Sequence, residues 1–423
     1  MLAMLFVLKG HQMMDAGIVI IGAGQAGYQL AASLRDAGYT ERVVLIGDEP
    51  DLPYQRPPLS KAFQSGQCEA EHLTFQHEAF YKDSSIEIML GVRVLSVDRE
   101  HRQIVTGDGR RLGYGHLVFA TGARNRLLRG AETGLKGLLT LRTLHDARAL
   151  REALQHASRA VIVGAGFLGL EFAAVAAAGG VPVHVIEAGP NLMSRAVSAP
   201  VADAFRAHHE SLGTTFTFNA GVQSIMSEGK RVTGVKTTQD QEHHADLVVV
   251  SIGVLPNVEL AEAAGLETAN GIVVDATLAT SDPFISALGD CASFPSRFAF
   301  GRCRIESVQN AVDQARYLAQ RFIGQNHTFE AVPWFWSDQG GVKLQIAGLG
   351  MSRADQIVLR GDQSALKFSA YGFANGHLVA VESVNRPGDH MAARRLLAAN
   401  APVTPAHVAD AQIDLRSLLE PVA

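Results

Sequence analysis

Apolar residues in this chain gather in short, β-branched runs, and two of those runs sit in matching surroundings. The first is Ile18-Val19-Ile20-Ile21, followed by Gly22-Ala23-Gly24-Gln25-Ala26-Gly27, an Ala/Leu-rich stretch to Gly38 and a second run, Val43-Val44-Leu45-Ile46-Gly47-Asp48. The other is Ala160-Val161-Ile162-Val163, followed by Gly164-Ala165-Gly166-Phe167-Leu168-Gly169, an Ala-rich stretch to Gly180 and Val183-His184-Val185-Ile186-Glu187. Short apolar runs bounded by glycine predict strands buried in a parallel sheet. The alanine-rich stretches predict helices lying close on that sheet. Each copy reads as strand, glycine turn, helix, strand, which is one right-handed βαβ crossover.

The glycines of each copy have separate tasks. Gly22 and Gly164 permit the tight turn out of the strand. Gly24 and Gly166 remove a side chain where a pyrophosphate must approach the backbone, and Gly27 and Gly169 let helix and strand come close. Between them, Gln25, Ala26 and Leu168 open the helices, whose N-terminal N–H groups and dipole favour phosphate. Asp48 and Glu187 stand at the end of the second strand of each unit. A carboxylate there accepts hydrogen bonds from ribose hydroxyls and repels a 2′-phosphate. No Arg follows Glu187, where the chain continues Ala188-Gly189-Pro190, so the second site is expected to favour NADH over NADPH. Two complete copies predict two dinucleotide sites, one for an electron donor and one for a bound flavin.

Length and composition narrow the setting. At roughly 100–200 residues per domain, 423 residues imply two to four domains. A net charge of -5 argues against bulk nucleic-acid binding. Cys68, Cys291 and Cys303 form no CxxC or CxxxxC pair, so a zinc site, a disulfide framework and a dithiol centre all lack their signature. Reduced thiols in a cytoplasmic protein are expected, with Cys291 a small core residue. No apolar run reaches the ~18 residues that span a membrane. The adjacent pairs His208-His209 and His243-His244 lack the spacing of helix-borne metal ligands; they are expected to be exposed or capping, and no metal is expected.

Three further strand ends carry small or acidic residues: His116 to Gly122, Asp246 to Gly253, and Ile285 to Asp290. With them come Gly47-Asp48-Glu49, Pro53-Tyr54-Gln55-Arg56-Pro57-Pro58-Leu59-Ser60-Lys61, Ala120-Thr121-Gly122 and Leu141-Arg142-Thr143-Leu144. Thr280-Ser281-Asp282-Pro283, Gly289-Asp290-Cys291-Ala292 and Arg304-Ile305-Glu306-Ser307-Val308 follow. The set closes with Pro333-Trp334-Phe335-Trp336-Ser337-Asp338-Gln339 and Val384-Asn385-Arg386-Pro387. In these segments the chain, from about residue 17 onward, resembles the FAD-dependent ferredoxin–NAD reductases of bacterial monooxygenase and dioxygenase systems, within the pyridine nucleotide-disulfide oxidoreductase superfamily. The proline-rich and Trp-Phe-Trp segments carry more of that resemblance than the glycine loops do.

The resemblance implies an α/β architecture of two Rossmann-like dinucleotide-binding domains plus a C-terminal α/β domain. Expected boundaries are 14–120 with 252–325 for FAD, 121–251 for NAD and 326–423 for the last domain, after a loose tail at 1–13. Asp48, Lys61, Val94, Arg142, Asp290 and Val308 would join the first loop as FAD contacts, and Gly253 and Trp336 would also line the cofactors. Lys61 would set its ammonium beside flavin N5, paired with Glu171, and stabilise the reduced flavin electrostatically. By the residues alone, Lys61 reads equally as a surface lysine and Glu171 as dipole compensation; Trp334 and Trp336 read equally as packing. Arg394-Arg395, with Arg386 and His390, is a candidate contact for an acidic ferredoxin. The implied activity passes electrons from NADH through FAD to a two-iron, two-sulfur ferredoxin that feeds an oxygenase, with a monomer or weak homodimer expected. A rubredoxin reductase, a reductase of a small oxidant and an NADH-sensing flavoprotein without turnover are the alternatives.

Overall fold

The computed structural model describes residues 17–128, 134–299, 301–325 and 327–419; the expected tail at 1–13 lies outside them. The chain begins with β1 (Ile18–Ile21), α1 (Gln25–Asp36), β2 (Val43–Ile46), β3 (Ile86–Met89) and β4 (His116–Phe119). It leaves through β5 (Ala123–Asn125) and lays down β6 (Leu138–Thr140), α2 (Leu144–His156), β7 (Ala160–Val163), α3 (Phe167–Ala178) and β8 (Val183–Ile186). Then come α4 (Ala199–Ser211), β9 (Thr215–Thr217) and β10 (Leu247–Val250). The return runs through β11 (Val254–Pro256) to β12 (Ile285–Ala287) and α5 (Val308–Phe322). A last group holds β13 (Trp334–Gln339), β14 (Val342–Gly348), β15 (Gln356–Asp362), β16 (Lys367–Ala374), β17 (His377–Val384) and α6 (Pro387–Ala399).

All of these strands but β5 and β11 make three five-stranded sheets. The first has the order β12–β4–β1–β2–β3 and the second β9–β8–β7–β10–β6; both are parallel throughout. The third, β13–β14–β17–β16–β15, is antiparallel. In both parallel sheets the strand order reverses beside the first strand of the βαβ unit, between β1 and β4 and between β7 and β10. The connections part there and leave a crevice at the carboxyl ends.

Parallel sheets carry helices on their faces, which is why β1 and β7 are apolar and buried at every position. α3 goes further. Its sequence is apolar nearly all round, the mark of a helix covered on more than one side. Phe167 at its start packs on Phe335 of β13 with ring centroids 4.5 Å apart. One core cluster joins Ile162, Leu170, Phe172 and Val185 to Val342, Leu344, Phe368 and Val384, so the second and third sheets share an interior. Outbound β5 and returning β11 pair antiparallel, Ala123 opposite Pro256. Beside them Asn257 Nδ2 donates to Thr121 O at 2.8 Å and Thr121 Oγ donates to Asn257 O at 2.7 Å.

Candidate active site

The two glycine turns end at the two switch points. Gly22 has φ +113°, and a Cβ built on it would stand 2.1 Å from Ala120 O at the end of β4; Gly164, with φ +101°, would meet Ser251 O beyond β10 at 2.3 Å. Each turn is therefore pressed against the neighbouring strand across the crevice. A Cβ on Gly27 would lie 1.9 Å from Gly22 O, and one on Gly169 would lie 2.5 Å from Gly164 O, so these positions serve close packing. Gly24 and Gly166 differ: a Cβ on either meets nothing within 4 Å. They are the N-caps of α1 and α3, and neither helix has a side-chain cap. The first ladder bonds run from Tyr28 N to Gly24 O and from Leu170 N to Gly166 O. The amides of Gln25, Ala26 and Gly27, and of Phe167, Leu168 and Gly169, thus precede the helical ladder. An open, uncapped helix start beside a switch point fits a dinucleotide pyrophosphate at each loop.

The two strand-end acids are not equivalent. Val163 pairs with Ile186 and Ile21 with Ile46. One step on, Gly164 stands beside Glu187, whereas Gly22 stands beside Gly47. A side chain at 47 would collide with Ala23 Cβ at 2.7 Å, which moves the acid of the first unit one residue along to Asp48, where it is exposed. Glu187 is folded into its own loop. Its Oε2 accepts from Ala165 N at 2.7 Å and its Oε1 from Gly189 N at 2.6 Å. The carboxylate thus reaches the glycine turn itself.

Between the two crevices lies a junction of three units. The prolines of Pro57-Pro58 start a single 3-10 turn, Pro57–Ser60, and Lys61 caps it. Lys61 Nζ stands 2.8 Å from Oε1 of Glu171, which α3 carries from the second unit. The pair expected from the resemblance is formed, with Glu171 buried. The same carboxylate accepts from Ser60 Oγ at 2.5 Å and from Ser337 Oγ of β13 at 2.6 Å. Neither serine is legible as a site residue from composition, though both stand inside the two most specific segments.

Arg142, two residues beyond β6, places Nη2 2.8 Å from Asp290 Oδ2. Arg56 Nη1 donates to Arg142 O at 2.6 Å and Arg56 Nη2 lies 2.5 Å from Glu49 Oε1. Glu49 also accepts from Tyr54 Oη at 2.5 Å, and that phenol oxygen accepts from Leu144 N at 2.8 Å. The network brings Asp290 together with the proline-rich segment; Glu49, Tyr54 and Arg56 were missed as candidates because each reads as an ordinary polar residue of a turn. Val308 opens α5 behind a Ser307 cap, and Val94 sits at the core edge with 9 % exposure. Gly253 has φ +95° and open space at its Cβ position. Trp336 is partly exposed, with its ring 5.6 Å from Trp334.

The Arg386, His390 and Arg394-Arg395 group, the candidate contact for an acidic ferredoxin, is mostly engaged within the chain. Arg386 is paired with Asp389 at 3.0 Å, Arg394 lies over the Trp334 ring at 4.5 Å, and His390 is buried, its pKa pushed down to about 4 by burial and by Arg394. Only Arg395 of these faces solvent fully. The histidine pairs are likewise not simply exposed or capping: His209 is fully buried and bonded to Gln339, while His243 stacks on His184 at 4.0 Å. Helix and strand periodicity turned one member of each pair inward. Among the described residues no group of three His, Cys, Asp or Glu side chains is arranged to hold a metal, and no helix is long and apolar enough to cross a membrane. Cys291 is a buried core residue, as expected.

Residues 16–315 match the pyridine nucleotide-disulphide oxidoreductase family, and residues 334–419 match the reductase C-terminal family. The chain is 45% identical over 399 residues to rhodocoxin reductase of Rhodococcus erythropolis, covering 94% of this chain and 93% of that one. Among solved structures it is similar to the ferredoxin reductase for the CYP199A2 system from Rhodopseudomonas palustris, with TM-score 0.93, 46% identity and coverage of 96% and 100% of the two chains. It is also similar to the reductase in the covalent putidaredoxin reductase–putidaredoxin complex, with TM-score 0.92, 35% identity and coverage of 96% and 98%.

Proposed function

The chain belongs to the pyridine nucleotide-disulphide oxidoreductase family, and from that premise we propose that it is an NADH-dependent flavoprotein reductase. The first crevice would hold FAD and the second the nicotinamide nucleotide. Electrons pass to a two-iron, two-sulfur ferredoxin that serves an oxygenase, in the cytoplasm, from a monomer or weak homodimer. The observation that carries this reading is the Lys61–Glu171 pair at 2.8 Å, which ties the first unit to the second between the two glycine loops. Solved relatives named as a ferredoxin reductase and as a putidaredoxin reductase in complex with putidaredoxin share the architecture over 96% of the chain, which supports the choice of acceptor.

When bound, FAD supplies the exchange between a two-electron donor and a one-electron acceptor. The chain supplies orientation and charge. The amides at the starts of α1 and α3 hold the two pyrophosphates. Glu187, fixed by Ala165 N and Gly189 N, presents its carboxylate to the ribose of the nicotinamide nucleotide and disfavours a 2′-phosphate. Asp290 and Arg142 hold the polyhydroxyl and phosphate portion of the flavin cofactor. Lys61, held by Glu171, would supply a fixed positive charge to the bound flavin, a preorganised stabilisation that needs no rearrangement of the chain.

An anaerobic titration with NADH, and separately with NADPH, tests this, read at the flavin absorbance near ~450 nm. Bleaching by about one equivalent of NADH, with NADPH much weaker, is the expected result. A protein that holds no flavin, or holds one that NADH does not bleach, overturns the reading. Ferredoxin-linked reduction of cytochrome c, with and without the carrier, then separates a ferredoxin reductase from a reductase of small oxidants.

A further inference from the structure

Glu171 gathers three donors, two from the Ser60–Lys61 segment and one from the third sheet. On β13, alternation sends Trp334 and Trp336 to one face and Ser337 and Gln339 to the other. Ser337 and Gln339 are both fully buried. The hydrogen bonds around them can run in only one direction. A carboxylate paired with Lys61 only accepts, so Ser337 commits its single hydrogen to Glu171 Oε1 at 2.6 Å. Gln339 must then offer an amide N–H to Ser337 Oγ, at 3.1 Å. Its carbonyl Oε1 is thereby left to His209, whose Nε2 at 2.9 Å carries the hydrogen. Burial keeps the His209 pKa below its ordinary value and the ring neutral. Three donors, His209 of α4 and Gln339 and Ser337 of β13, therefore form a chain that ends on the Glu171 oxygen facing Lys61.

We propose that Ser337 and Gln339 are positioning residues for Lys61: they fix the Glu171 carboxylate, and through it the ammonium, at the junction between the two nucleotide crevices. This rests on the function proposed above. It gives the third sheet a part in the half-reaction with NADH. Ser60 holds the other carboxylate oxygen from the first unit at 2.5 Å, so the carboxyl plane is set from two sides. Without Ser337, Glu171 loses one clamp, and the buried amide of Gln339 keeps only the weak acceptor Met193 Sδ, at 3.6 Å.

The test uses the FAD-loaded protein and compares Ser337→Ala, Ser337→Thr, Lys61→Met and the Ser337→Ala/Lys61→Met double variant. Stopped-flow reduction by NADH gives a limiting rate and an apparent Kd, and dye equilibration gives the flavin midpoint potential. Ser337→Ala should slow the limiting rate about tenfold, the scale of a hydrogen bond lost from a charged group. It should leave the NADH Kd unchanged and move the potential to a more negative value. Ser337→Thr should restore both. In the Lys61→Met background Ser337→Ala should cost nothing more, because the two act as a unit. Wild-type rate and potential in Ser337→Ala overturn the inference, and so does an equal loss with and without Lys61. If Ser337→Ala does not fold, Gln339→Met carries the same comparison from one step further along the chain. A wild-type flavin that NADH fails to reduce overturns the proposed function instead, which keeps the two failures distinct.

Discussion

Arg142 and Asp290, from different sheets, meet at 2.8 Å. Arg142 follows β6 of the second sheet, and Asp290 follows β12 of the first. The pair is partly exposed, at 26% and 17%, so the attraction between them is modest by itself. Its value lies in placement. Asp290→Ala should weaken FAD retention, with the FAD Kd rising by about tenfold to a hundredfold. The flavin-to-protein ratio after gel filtration and a fluorescence titration of the apoprotein read this. Full retention of FAD would separate Asp290 from the cofactor.

The glycines of the first loop should divide into two classes. Gly24→Ala adds a methyl group to open space at an ordinary φ of −78°. The apoprotein should therefore melt at its wild-type temperature while FAD binding falls sharply. Gly27→Ala forces Cβ to within 1.9 Å of Gly22 O and should destabilise the fold by about 2 kcal/mol or more. Thermal melts of both apoproteins distinguish packing from ligand access. Equal melting losses would contradict the assignment.

Glu187 should govern the choice of coenzyme. Glu187→Ala removes the ribose acceptor and releases two backbone amides, so kcat/KM for NADH should fall about tenfold or more. The loss for NADPH should be smaller, because the repulsion of its 2′-phosphate goes with the carboxylate. The ratio of the two kcat/KM values is the measurement, and an unchanged ratio would remove Glu187 from the ribose site.

Glu382 of β17 is fully buried and carries no cationic partner in its described contacts; Ser198 N reaches its two carboxylate oxygens at 2.9 and 3.1 Å and Ser198 Oγ donates at 2.5 Å. Burial raises its carboxyl from 4.5 to about 7 despite those bonds. The folded protein therefore holds this proton at pH values where the unfolded chain has released it. The resulting stability is fully present below about 4.5, falls as pH rises and is gone above about 7, a span of about 3 kcal/mol. Glu382→Gln should flatten that portion of the curve. Urea denaturation of both proteins at about pH 5 and about pH 8 gives the difference; parallel curves would refute it.

The two βαβ units were readable because their physics is local. A buried strand, a glycine that must turn at positive φ and a helix with room at its start all leave marks within a dozen neighbouring residues. Lys61 and Glu171 were reached only through the resemblance, since their partnership spans 110 positions and each alone reads as surface chemistry. The offset of Asp48 from Glu187 escaped because register depends on Ala23 packing against Gly47, a contact no run of hydrophobicity displays. His209 and His390 were read as polar and proved buried: their helices turn those positions toward the core. Ser337 and Gln339 left no such mark: Trp334 to Gln339 is three aromatic residues followed by three polar ones, and only the packing of β13 on α3 turns Ser337 and Gln339 inward.

The ribbon of β5 and β11 settles how the second nucleotide unit is attached. Its two ends are hydrogen-bonded neighbours, and Asn257 N already reaches Gly122 O at 2.9 Å. The chain enters and leaves the stretch from β6 to β10 through that one stem, as a guest does by a single door. Loop-closure entropy grows only slowly with the length enclosed, so a host whose insertion ends already touch accepts a whole folded unit at little cost.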